Sequence, residues 1–219
     1  MFRNTYLHLF LALVSFLVIP PFLDGEFVKH IFISILFTII LFSTIFIIYD
    51  KRKKNIVPVF VIFTVIILTW TEYLIPQHKD FVSAVSYFLL FGFFIYVTLV
   101  LFGYLFRQQT INQNVFLVCM SIYLLMGING ALLFTALNSL YPGAFDGGGS
   151  LPLTVSDFLY FGFVTMATVG YGDITPAIPQ TQMVAVMLAV IGQIYLTIIV
   201  AILVGKYISQ KKDDTGSLS

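Results

Sequence analysis

The chain has 219 residues, 59% of them hydrophobic and 10% charged, with a mean hydropathy of +1.01 and a formal net charge of +1. Soluble domains average roughly half apolar and a quarter charged residues, so this composition excludes most soluble enzymes and nucleic-acid-binding proteins and points to a bilayer-embedded chain. Cys119 is the single cysteine; no disulfide can form within the chain, and a lone cysteine in an apolar helix reads as packing.

Crossing a hydrocarbon core of ~30 Å takes ~20 helical residues. Six segments are long enough, at about 6–23, 28–49, 56–75, 81–106, 113–140 and 180–208. Pro20-Pro21 and Asp24-Gly25-Glu26 close the first, and Asp50 to Asn55 separate the second from the third. Pro76 to Asp80 turn the third into the fourth, and Arg107 opens a polar linker to the fifth. Arg3 followed by an apolar run also suits a signal peptide. No small-x-small site precedes Pro20-Pro21 and the run is long for one, so a retained helix is expected.

Cytoplasmic loops keep an excess of Lys and Arg. With the N-terminus inside, the cytoplasmic side holds Arg3, Lys51, Arg52, Lys53, Lys54, Arg107, Lys206, Lys211 and Lys212, and the outside keeps Lys29 and Lys79. That split predicts a multi-pass protein of the cell membrane, plasma or inner, with both termini cytoplasmic.

Moving one charge through the membrane field is worth ~2.3 kcal/mol per 100 mV, which is why voltage sensing uses helices rich in arginine. Phe81 to Phe106 contains no Arg, Lys, Asp or Glu, and Arg107 at its end reads as an interfacial anchor. Glu72 lies near the outer end of the third segment. In the fifth, Gly127, Asn129 and Gly130 are small and polar residues of the kind that mark helix–helix contact. Tyr141 to Ser150, rich in glycine, reads as a flexible outer turret.

A short helix is expected from near Thr154 to Ala167. Thr154 or Ser156 suits its N-cap, and Asp157 suits the positive end of its dipole. About twelve residues cannot span, so this is a re-entrant helix whose C-terminal carbonyls offer partial negative charge at mid-membrane. Behind it runs Thr165-Met166-Ala167-Thr168-Val169-Gly170-Tyr171-Gly172-Asp173. Gly170 and Gly172 permit φ > 0, so the carbonyls of Thr168, Val169, Gly170 and Tyr171 can be turned to one side. Irregular backbone of this kind is tolerated at membrane depth only where protein walls it in and it faces water. Rings of such carbonyls, several copies about an axis, replace the hydration shell of a potassium ion.

This stretch resembles the signature of the tetrameric potassium channels, Thr-x-x-Thr-x-Gly-Tyr-Gly-Asp. The resemblance is specific from about Ser156 to Ile208 and only topological over the first 107 residues. It implies an all-α membrane protein with six transmembrane helices per chain, a re-entrant pore helix and a selectivity filter, assembled as a homotetramer. Residues 1–107 would form a four-helix domain with a voltage-sensor layout lacking the sensor charges, residues 112–208 the pore domain, and 209–219 a short cytoplasmic tail. The filter would be Thr168, Val169, Gly170, Tyr171 and Gly172, with potassium ions held by the backbone carbonyls of Thr168, Val169, Gly170 and Tyr171 and with Asp173, Tyr160, Val164 and Thr165 as filter support.

Tyr160-Phe161 stand where many relatives carry paired tryptophans, and Val164 where some carry a glutamate that holds the aspartate. Asp173 therefore needs another partner; the Tyr160 hydroxyl is the candidate, with plain aromatic packing as the alternative. Thr175 replaces an aromatic ring of some relatives, implying weak external block by quaternary ammonium. Gly192 stands where the family has its gating-hinge glycine, although a packing glycine fits as well. Gln193, Leu196, Thr197, Val200, Val204 and Ile208 recur at helical spacing. They would line the cavity and inner gate, or else face lipid.

The expected function is passive, potassium-selective conduction without a charged voltage sensor. The alternative is a membrane sensor or scaffold that keeps the pore fold. Partners are three further copies of the chain, the lipid bilayer and potassium ions. No cofactor or nucleic acid is implied. His8, His30 and His78 are isolated, and no nucleophile–base set or metal-ligand spacing indicates an enzyme.

Overall fold

The computed structural model describes residues 5–23, 79–108, 110–147 and 152–216, together with 32, 35, 36, 38–40 and 42–44. The expected third segment and most of the second lie outside the described residues, as do His30, Glu72 and His78. Among the described residues five α-helices have defined bounds: α1 (Thr5–Val18), α2 (Lys79–Arg107), α3 (Gln113–Leu140), α4 (Val155–Met166) and α5 (Pro179–Gly216). Two short strands, β1 (Phe145–Asp146) and β2 (Thr175–Pro176), complete the order.

Among the described residues, three helices are long and apolar enough to cross a membrane: Ala84–Arg107, Gln113–Leu140 and Pro179–Ser209. The architecture is that of a helical membrane protein. Several hydroxyls within these helices are satisfied by their own helix, as lipid favours, while Ser121 Oγ and Asn129 Oδ1 are buried without a partner. Thr98 donates to the Phe94 carbonyl, Thr135 to that of Ala131 and Thr197 to that of Gln193, each four residues back.

Two segment ends differ from expectation. The first segment stops being α-helical at Val18 rather than near residue 23, and Pro20–Phe22 form a single 3-10 turn. Pro20 lacks the N–H that the next helical bond needs. At the other end, α5 runs to Gly216, so most of the expected tail 209–219 is helix. Hydropathy marks where the membrane stops; the helix, whose bonds are internal, continues beyond it.

The core is built on α3, which packs against α1, α2, α4 and α5. Its N-terminus is capped by Asn112, whose Oδ1 accepts from the Val115 amide at 3.1 Å. Gly127 and Gly130 mark the contacts: a Cβ on Gly127 would stand 2.4 Å from the Phe163 ring, and one on Gly130 2.4 Å from Leu188. Asn129 turns back on its own helix, donating to the Leu125 carbonyl at 2.9 Å. Tyr195 of α5 ties the last helix to α3 by donating to the Cys119 carbonyl at 2.6 Å.

Within the expected turret, residues 141–147 are described, and they include a strand. β1 pairs antiparallel with β2, Phe145 opposite Pro176 and Asp146 opposite Thr175. The Ala144 carbonyl accepts from the Ala177 amide at 2.9 Å and from the buried Thr181 hydroxyl at 3.0 Å. Burial of the Phe145 ring in the core fixes this strand, a tertiary effect that overrides local punctuation.

Candidate ion-conducting site

Helix α4 begins in a capping box. The Thr154 amide donates to Asp157 Oδ2 at 2.7 Å, and the Asp157 amide donates to Thr154 Oγ1 at 3.4 Å. Reciprocal capping of this kind satisfies two otherwise orphaned donors. The inner side of α4 is held by aromatic rings. Phe158 and Phe161 are buried and pack with Phe134 of α3 and Phe145 of β1, at centroid separations of 4.9 Å for Phe134–Phe161 and for Phe145–Phe158. In lipid such contacts contribute by packing rather than by exclusion of water. Gly162 allows the helices to close further, since a Cβ there would lie 3.1 Å from the Gly127 carbonyl oxygen.

Beyond Met166 the chain leaves the helix without losing its anchorage. The Ala167 amide donates to the Phe163 carbonyl at 2.9 Å, Thr168 to Thr165 at 3.0 Å and Val169 to Val164 at 3.0 Å. The Gly170 amide reaches the same Val164 carbonyl at 3.4 Å. Val164 and Thr165 thus meet the loop through backbone oxygens, not through their side chains.

The backbone then alternates. Thr168 has φ 59°, Gly170 56° and Gly172 79°, while Val169 and Tyr171 keep negative φ. Alternation of this kind is the condition under which successive carbonyls can be turned to one side. For a β-branched residue such as Thr168 the left-handed region costs roughly 1–2 kcal/mol. Among the described residues no donor meets the carbonyls of Thr168, Val169, Gly170 or Tyr171. A row of oxygens without donors needs water or a cation.

Behind the row, Tyr160 donates to Asp173 Oδ2 at 2.7 Å, and its ring lies parallel to that of Tyr171, 6.5 Å between centroids. The Tyr160 hydroxyl holds the Asp173 carboxyl below its ordinary pKa, and the carboxylate pushes the Tyr160 hydroxyl up to about 12. Below the row, Gln193 Nε2 lies 3.4 Å from Thr168 Oγ1.

Helix α5 buries Thr181, Leu188, Gly192, Tyr195 and Ile199 against its own chain. Gly192 is a site of close approach: a Cβ would stand 2.6 Å from the Met166 carbonyl oxygen. Gln193, Leu196, Thr197, Val200, Val204 and Ile208 are all exposed. They lie roughly 80–200° round the helix from Leu188 at ~100° per residue. Val169 and Tyr171 are exposed too, at 51% and 72%. The structure therefore brings Thr168–Asp173, Tyr160, Val164, Thr165, Gly192 and Gln193 to one place, with Leu196 to Ile208 running away from it down one helix. Lys206 Nζ of α5 also donates to the carbonyls of Leu105 and Gln108 at the end of α2, a pairing across about a hundred residues that leaves no local signal in the sequence.

Two helices long and apolar enough to cross a membrane, α3 and α5, thus flank a short helix and a stretch whose carbonyls meet no donor among the described residues. Residues 115–209 match the family model described as Ion channel. Over 70 residues the chain is 40% identical to Two pore potassium channel c of Oryza sativa subsp. japonica, covering 32% of this chain and 14% of that protein. It is 35% identical over 94 residues to Two-pore potassium channel 5 of Arabidopsis thaliana, covering 43% of this chain and 20% of that one. The matched part thus spans a fifth or less of these relatives. No solved structure matches the chain.

Proposed function

We propose that the chain conducts potassium selectively and passively across a cell membrane, that three further copies of it complete the pore, and that it does no enzymatic chemistry. The observation that carries this reading is the alternation of φ at Thr168, Gly170 and Gly172 beside four carbonyls without donors. One strand cannot surround an ion, and a closed ring of four supplies the oxygens that replace a hydration shell. The exposure of Val169, Tyr171 and the Gln193 to Ile208 face accords with surfaces that meet other copies and the ion path. The end of α4 adds the negative pole of its dipole below the filter. Val200, Val204 and Ile208 are the apolar residues that would narrow the inner mouth and close it by dewetting. Gly192 serves as hinge or packing point. The six-helix layout, the cytoplasmic termini and the absence of voltage sensing belong to the same proposal.

The test is recording from the purified full chain in planar bilayers, with potassium on one side and sodium on the other. The expected result is reversal near the potassium equilibrium potential, with an open probability that does not vary with voltage. Gly170→Asp abolishes the selective current while the oligomer still assembles. Equal passage of sodium and potassium in the parent, or unchanged selectivity in the variant, refutes the filter assignment.

A further inference from the structure

Lys206 lies on α5 between Val204 and Ile208, yet it faces away from them. Its Nζ donates to the carbonyl of Leu105 at 3.1 Å and to that of Gln108 at 2.5 Å. These acceptors sit in the last turn of α2 and just past it, where a helix leaves its final carbonyls unpaired and carries the negative end of its dipole. An ammonium satisfies both requirements at once. The donor comes from 101 and 98 residues away in sequence. Arg107, the cation that α2 itself brings to this turn, stays exposed.

The bond continues a seam. Tyr195, on the same side of α5, meets the Phe102 ring of α2 edge-on at 5.8 Å and donates to the Cys119 carbonyl of α3. Ile199 is buried on that side as well. Lys206 is the polar fastening at the lower end of this seam, and the apolar residues assigned to the inner mouth stand on the other side of the same turns.

We infer that Lys206 is a positioning residue for the inner mouth: by capping the end of α2 it fixes the turn of α5 that carries Val204 and Ile208, and so couples α2 to the conducting path. This rests on the channel reading above. A shift at the C-terminal end of α2 is then passed to the inner mouth through two charge-assisted hydrogen bonds. A helix without sensor charges keeps a mechanical hold on the pore.

The experiment compares the full chain with Lys206→Met, which keeps the stem and loses the donors, and with Lys206→Arg, which keeps charge and donors. In planar bilayers Lys206→Met changes the open probability by about tenfold or more, the scale of one charge-assisted hydrogen bond. Unit conductance and reversal potential stay as in the parent, and Lys206→Arg restores the parent open probability. Parent-like gating in Lys206→Met, or Met-like gating in Lys206→Arg, overturns the inference and leaves the channel reading intact. Hydrogen exchange on the same proteins in liposomes reads the bond without conduction: amides of residues 200–208 exchange about tenfold faster in Lys206→Met than in the parent or in Lys206→Arg. Equal exchange overturns the inference whatever the current. A parent without selective current removes the channel reading, and with it the inference.

Discussion

Replacing Gly192 by alanine sets two effects against each other, and a second glycine in the same helix separates them. At Gly192 a methyl would stand 2.5 Å from Met166 Cγ and 2.6 Å from the Met166 carbonyl oxygen, whereas at Gly205 it would meet nothing within 4 Å. The methionine side chain can swing aside. The carbonyl cannot, because it belongs to the last residue of α4, whose final turn holds Ala167, Thr168 and Val169 through the Phe163, Thr165 and Val164 carbonyls. Restoring ordinary contact at 3.4 Å moves α5 away by roughly 0.8 Å. Such overpacking costs about 1–3 kcal/mol. Both substitutions gain the same helix propensity, up to about 1 kcal/mol. The difference between the two variants therefore isolates the clash, at about 1–3 kcal/mol. In a thermal melt of the solubilised protein in potassium, Gly192→Ala should unfold about 2–12 °C below Gly205→Ala, using ~2–4 °C per kcal/mol for a chain of this size. Melting of Gly192→Ala at or above Gly205→Ala refutes the close approach. If Gly192 were a hinge alone, gating would change while the two melting temperatures stayed equal.

Tyr160→Phe removes the donor that holds Asp173. The Asp173 pKa is lowered in the folded protein, so its support is complete above the ordinary carboxylate range and is lost as pH falls through the lowered value. The Tyr160 pKa is raised, so the same bond is complete below the ordinary tyrosine value and is lost as pH rises through about 12. Potassium current recorded against falling external pH should fail at a higher pH in Tyr160→Phe than in the parent; coincident acid limbs would show that the bond does not hold the filter. Phe158→Ala empties a fully buried site in the aromatic cluster and should cost about 3–5 kcal/mol, read as loss of thermal stability of the solubilised protein. A loss under about 1 kcal/mol would mean that neighbouring rings close the gap.

Much of the conducting half is legible in the sequence because its signals are local. Gln113–Leu140 is a long, predominantly apolar run without charges, Thr154 and Asp157 stand three apart at a helix start, and glycine at 170 and 172 announces the reversals of φ. The Tyr160–Asp173 bond could be reached by asking what an aspartate does without the usual glutamate. What escapes is long-range. The β1–β2 pair is two residues long on each side and carries no alternation to read. Tyr195 and Cys119 are 76 residues apart, and Lys206 lies farther still from its acceptors. Gly192 illustrates the boundary: its position admits hinge and packing equally, and the distance to Met166 is what identifies a contact.

The fastening of the turret to the strand after the filter bears on how this protein is made. Ala144 receives its partners from Ala177 and Thr181, and β1 waits for Thr175 and Pro176. A twelve-residue helix does not hold a place in the membrane by itself, so α4 and the filter stay unsecured while only α3 has been inserted. They are closed off when the start of α5 emerges from the ribosome and docks against Ala144. The stretch Thr168–Asp173 is thus among the last parts of this half of the chain to be secured, and a nascent chain halted before residue 181 carries all of it with Ala144 still lacking the Thr181 hydroxyl.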